Sequence, residues 1–85
     1  MFKIEYSNKS LRFLDKCEKN LCERIIDKIE KLKETSVPND AKFIGRHKGD
    51  KVFRVRIGDY RVLYKIKDED KVILIINIDK RPRIY

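Results

Sequence analysis

The stretch Val52-Phe53-Arg54-Val55-Arg56-Ile57-Gly58-Asp59-Tyr60-Arg61-Val62-Leu63-Tyr64 decides how this chain folds. On both sides of Gly58-Asp59, side chains of one character recur at every second position, the period of a strand with two unlike faces. A Gly-Asp pair between two such runs is the signal of a two-residue hairpin loop. That loop sets the register. Ile57 faces Tyr60, Arg56 faces Arg61, Val55 faces Val62, Arg54 faces Leu63 and Phe53 faces Tyr64. Directly opposed residues share one face of a sheet. The apolar face is then Phe53, Val55, Ile57, Tyr60, Val62 and Tyr64. The other carries Arg54, Arg56, Arg61, Leu63 and Lys65.

Like charges directly opposed across a ladder, as Arg56 and Arg61 are, destabilise by a few tenths to ~1 kcal/mol. No carboxylate stands on that face of the hairpin to relieve them. Lysine would serve to keep an edge soluble. Arginine is the side chain that grips phosphate with a planar fork and keeps its charge when desolvated. The pattern points to a phosphate-binding face.

Outward from the hairpin, Val72–Ile78 is almost wholly apolar, as a central strand covered on both faces would be. Asp79 to Tyr85 forms a basic tail with Lys80, Arg81 and Arg83. Toward the N-terminus, Phe2-Lys3-Ile4-Glu5-Tyr6 alternates as a strand does. Ser7 is a good N-cap for a helix over Asn8–Lys19. Asn20, followed by Glu23, resembles a capping box for a second helix, whose apolar positions Leu21, Ile25, Ile29 and Leu32 keep helical spacing. Thr35 to Lys51 reads as a connector, with Gly45, Arg46, His47, Lys48 and Gly49 as its basic, flexible part. The expected architecture is α+β: a helical hairpin packed on one small antiparallel sheet, in the order β-α-α-β-β-β.

With 85 residues, 41% hydrophobic and 42% charged, the chain is expected to be one domain spanning 1–85, too apolar for disorder and too charged for a membrane span. Two cysteines and one histidine make neither a disulfide scaffold nor a zinc site, and no cofactor is expected. No signal peptide opens the chain, so a cytoplasmic location is expected. The net charge is +8, and it is unevenly spread. Residues 1–40 hold nine Lys/Arg against eight Asp/Glu, and residues 41–85 hold thirteen against six. A basic second half on a balanced first half calls for a polyanionic partner.

The Val52–Tyr64 run, and above all Gly58-Asp59-Tyr60-Arg61-Val62-Leu63-Tyr64, resembles the signature hairpin of the RelE/ParE toxin superfamily, closest to RelE-like mRNA interferases. The resemblance covers nearly the whole chain, and it implies the same β-α-α-β-β-β sandwich. It implies the toxin of a type II toxin–antitoxin pair that enters the ribosomal A site and cuts mRNA there, using the RNA's own 2′-OH as nucleophile. Carried over position by position, it makes Arg54, Arg56, Arg61, Arg81 and Tyr85 the catalytic set, with Arg83 as a reserve for Arg81; the basic loop, face and tail offer Arg46, Lys48, Lys65, Lys80 and Arg83 as further RNA contacts. The implied partners are an acidic, RelB-like antitoxin, the ribosome and mRNA. One departure matters: the signature strand of RelE-like members usually offers lysine, whereas both positions here are arginine, a poor proton acceptor. His47 is the remaining candidate base. The alternatives from other classes are a ParE-like inhibitor of DNA gyrase and an RNA-binding module without catalysis.

Overall fold

The computed structural model describes residues 1–80; Arg81, Arg83 and Tyr85 lie outside the described residues. The elements run β1 (Lys3–Tyr6), α1 (Asn8–Lys16), α2 (Lys19–Lys31), β2 (Lys42–His47), β3 (Asp50–Ile57), β4 (Tyr60–Lys67) and β5 (Val72–Lys80). The five strands form one sheet in the order β1-β5-β4-β3-β2, with both helices on one face. The helical hairpin on a sheet is as expected, with two additions. Lys42–His47, expected as part of a connector, is an edge strand antiparallel to β3. The sheet is also mixed, because β1 pairs with β5 in parallel. Strands β1 and β5 are separated in the chain by both helices and three strands, a crossover long enough to bring β5 back beside β1 in the same direction.

The hairpin register is the expected one at every pair from Ile57↔Tyr60 to Phe53↔Tyr64. Its apolar face meets Ile25, Ile29 and Leu32 of the second helix region, and Val55, Val62 and Tyr64 are wholly buried. In the loop, φ is positive at Gly58 (57°) and not at Asp59, the signature of a turn with Gly at its first central position. The turn that makes β2 is Lys48-Gly49, with φ of 51° and 87°, both left-handed as a type I′ hairpin requires.

Ser7 caps α1 as expected, its Oγ accepting from the Ser10 N–H at 3.1 Å. Helix α2 starts earlier than the Asn20 motif suggests. Its N-cap is Glu18, whose carboxylate accepts from the N–H groups of Asn20 and Leu21 at 3.0 and 3.1 Å. A carboxylate satisfies two orphan donors there and also meets the positive end of the helix dipole.

A bulge in β5 decides what reaches the open face. Tyr64 pairs with Ile75 and Leu63 with Asn77, so Ile76 has no partner across the ladder. One extra residue flips every later side chain to the other face. Ile78 therefore enters the core at 3% exposure, while Asn77 and Asp79 turn outward, opposite Leu63 and Arg61. The carbonyls at the bulge are held by two serines. Ser7 Oγ donates to the Ile76 carbonyl at 2.7 Å, and the buried Ser10 Oγ donates to that of Ile75 at 3.1 Å. Strand β5 is covered on one face only: Leu74 and Ile76 remain partly exposed on the side away from the helices. Among the described residues no helix is long and apolar enough to cross a membrane.

Candidate RNA-binding groove

The open face of the sheet carries two adjoining rows of side chains. Lys42, Arg54, Leu63 and Asn77 stand opposite one another across β2, β3, β4 and β5. Two residues along, Arg56, Arg61 and Asp79 form a second row. With strands about 4.8 Å apart, each row spans ~10–15 Å. Together with Ile44, these residues line a groove of about 460 Å³. Ile44, two residues from Lys42 and so on the same face, is the unpaired residue of a bulge between Phe43 and Gly45 and lines the same groove.

Three arginines from the sequence-predicted set thus meet in one place. The expectation that their face has no carboxylate holds between Phe53 and Lys65 of the hairpin and fails for the sheet, where Asp50 at the start of β3 stands by Lys65 and Asp79 of β5 stands opposite Arg61. Asp79, delivered by the β5 bulge, accepts from Arg61 Nε at 2.8 Å, and its other oxygen accepts from Asn77 Nδ2 at 3.2 Å. Both partners of the ion pair are 40% exposed, so its stabilising effect is small. Its main consequence is geometric: it fixes the Arg61 guanidinium beside the directly opposed Arg56. Arg56 is exposed and has no side-chain partner among the described residues.

The remaining predicted contacts are scattered. His47 is an exposed residue at the end of β2, opposite Asp50. Four to six residues separate Asp50 from Arg54 and Arg56 along β3, or ~14–20 Å at ~3.4 Å per residue. The His47 ring leans on Lys65 in a recess that adjoins the groove at Leu63, and His47 is not among the groove's lining residues. Lys65 lies on the open face but is only 8% exposed, its Nζ 3.3 Å from His47 Nδ1 and 3.7 Å from an Asp50 oxygen. Lys65 as the ammonium donor makes Nδ1 the acceptor and leaves the His47 proton on Nε2. Beside them Val52, Leu63, Leu74 and Ile76 form an apolar recess of about 330 Å³. Arg46 and Lys48 lie at the far hairpin, Arg46 Nη1 donating to the Gly49 carbonyl at 3.0 Å. Lys80 opposes Tyr60, on the helix side of the sheet, and is exposed.

Lys42 and Asp79 are the charged groove residues that the sequence pattern does not single out. The broken period of Lys42–His47 hides Lys42, and the β5 bulge hides Asp79. Two buried or half-buried groups are unsuited to chemistry. Burial, reinforced by Asp40, pushes the Tyr64 phenol above its ordinary range, and its hydroxyl is spent on the Ser36 carbonyl at 2.7 Å. Burial, with Cys22 and Glu18 nearby, likewise raises the Cys17 thiol, the opposite of what a reactive thiolate needs. Among the described residues no cluster of His, Cys, Asp or Glu could hold a metal ion.

Residues 4–85 match the family described as the ParE toxin of type II toxin-antitoxin system, parDE. A protein of Methanocaldococcus jannaschii named "Putative toxin RelE1" is 34% identical over 85 residues, which cover 99% of this chain and 94% of that protein. In solved structures, the chain resembles that of an archaeal RelE-RelB complex from Pyrococcus horikoshii, with a TM-score of 0.86 and 26% identity over 98% of both chains. It resembles the isolated E. coli RelE toxin in fold, with a TM-score of 0.84 and 19% identity over 99% of this chain and 88% of that one.

Proposed function

This chain belongs to the ParE toxin family of type II toxin–antitoxin systems, within the RelE/ParE superfamily, and on that premise we propose that it is a ribosome-dependent mRNA endonuclease. The observation that carries the proposal is the groove in which Arg54, Arg56 and Arg61 converge on one exposed sheet face. Guanidiniums bind phosphate oxygens bidentately and remain charged next to it. Attack of a ribose 2′-oxygen on the adjacent phosphorus builds a dianionic phosphorane. Arginines already in place stabilise that charge without reorganising. Arg56 and Arg61 would hold the scissile phosphate, and Arg54 the neighbouring backbone. Arg81 and Tyr85, assigned by family resemblance, would act on the leaving oxygen and stack on a base. The ribosome would set the RNA in line for attack. The arginines supply the charge stabilisation that a metal ion gives other nucleases, so the proposed activity is independent of metal and cofactor.

The same groove is the proposed seat of an acidic, RelB-like antitoxin, in a cytoplasmic complex. RelE is solved together with RelB from Pyrococcus horikoshii, and also from E. coli. Burying Arg56 opposite Arg61 under acidic side chains would relieve their mutual repulsion, and raised salt would weaken the association.

Primer extension on mRNA translated in vitro tests the activity. Cleavage within A-site codons is expected, and Arg56→Ala lowers it by about 10- to 1,000-fold at an unchanged melting temperature. DNA breaks dependent on gyrase, without RNA cleavage, would establish the gyrase-inhibitor alternative that the ParE family match brings with it. RNA retention without a cut would leave a binding module.

A further inference from the structure

Cleavage through the 2′-oxygen needs a group to take its proton, and the arginines of the signature strands cannot serve. A guanidinium holds its proton too tightly to act as a base near neutral pH. His47 is held beside Lys65 in the neighbouring apolar recess, with Leu63 between it and the groove, and is not among the residues that line the groove. The groove itself holds two side chains that exchange protons more readily, Lys42 and Asp79. Asp79 has both oxygens engaged, one by Arg61 and the other by Asn77, and its negative charge opposes the phosphate that the arginines attract. Lys42 is differently placed. It is exposed on edge strand β2, directly opposite Arg54, and its amine has no hydrogen-bond or ion-pair partner among the described residues. Its row lies two residues, or ~7 Å, from the Arg56–Arg61 row that would hold the phosphate.

We propose that Lys42 is the proton-transferring residue of this groove, the amine that signature-strand arginines cannot replace. The inference rests on the nuclease function proposed above. In the step, the Lys42 Nζ takes the 2′-OH proton. The 2′-oxygen lone pair forms a bond to phosphorus, and the P–O5′ bond breaks with its electron pair left on O5′. O5′ takes a proton from water, and the Lys42 ammonium returns its proton to the hydroxide so formed. The products are a 2′,3′-cyclic phosphate and a 5′-hydroxyl, with no water consumed. Arg54 across the ladder supports Lys42 by binding the neighbouring phosphate, so that the flexible four-carbon stem can place its amine on the ribose.

Lys42→Arg separates charge from proton transfer, because it keeps the cation and removes the accessible base. The full-length chain is assayed on translating ribosomes by primer extension, with Lys42→Ala assayed alone and with added methylamine. The expected result is a loss of about 100-fold or more in Lys42→Arg, together with partial rescue of Lys42→Ala by the amine. A Lys42→Arg rate within about threefold of the parent overturns the proposal, and so does a Lys42→Ala rate that methylamine does not move. A parent chain that cuts no RNA removes the nuclease function itself, and this inference with it. Parent cleavage with an active Lys42→Arg removes the inference alone.

Discussion

Strand β3 pairs on one side with β4 across Gly58-Asp59 and on the other with β2 across Lys48-Gly49. Both connections are two-residue hairpin loops, yet the first is plain in the sequence and the second is not. Gly58-Asp59 sits between two runs of sharp alternation, each with an apolar face that ends up buried. Lys48-Gly49 follows Lys42-Phe43-Ile44-Gly45-Arg46-His47, where Phe43 and Ile44 are 52% and 51% exposed and a bulge breaks the period. Alternation is written by burial. A strand that buries little is held by backbone hydrogen bonds to its neighbour, which leave no trace in side-chain type. The Lys48 position adds to the concealment, because lysine is an unusual choice where φ is 51°.

The difference predicts how unequally the two hairpins respond to substitution. Val62→Ala empties part of the wholly buried layer that Val55 and Val62 share, and should cost about 2 kcal/mol or more in denaturant unfolding. Phe43→Ala on β2 loses an edge contact with the Phe53 ring, 5.5 Å between centroids, and should cost about 1 kcal/mol. Equal losses at the two sites would break the contrast between a scaffold hairpin and a peripheral one.

Tyr64→Phe probes the segment that leads into β2. It removes the hydroxyl bond to the Ser36 carbonyl and should cost about 1 kcal/mol near neutral pH. Because burial raises the Tyr64 pKa in the folded state, its proton is held more tightly folded than unfolded. The associated stability is complete below the unfolded value of ~10 and falls as pH rises above it. The parent should therefore lose stability above pH ~10 more steeply than Tyr64→Phe, a difference read from melting temperatures across that range. The smallest effect is a gain. Lys48→Asn, which tolerates positive φ better, should raise stability by about 0.5 kcal/mol and tighten the β2 hairpin. A loss at this position would show that the turn is not what limits β2.

The candidate site divides along the same line. Arg54, Arg56 and Arg61 were legible as a group, because their strands carry a readable register and their face has a single charge. Asp79 was not, since an unbroken β5 would have turned it toward the core and Ile78 toward the groove. Only Ile76, bulged out beneath Ser7 and Ser10, reverses that. Lys65 is a contact by the face its strand gives it. Its burial against Asp50 and His47 depends on β2, which the sequence concealed.

The residues alone determined the helical hairpin, the β3–β4 register and the arginine face, because each follows from local periodicity, capping and turn chemistry over a few neighbours. Tertiary structure decided the edge strand, the parallel β1–β5 pairing, the bulge, and hence which lysine and which carboxylate join the arginines. Those features depend on pairings between distant segments through backbone groups, and every residue but proline carries the same backbone donor and acceptor.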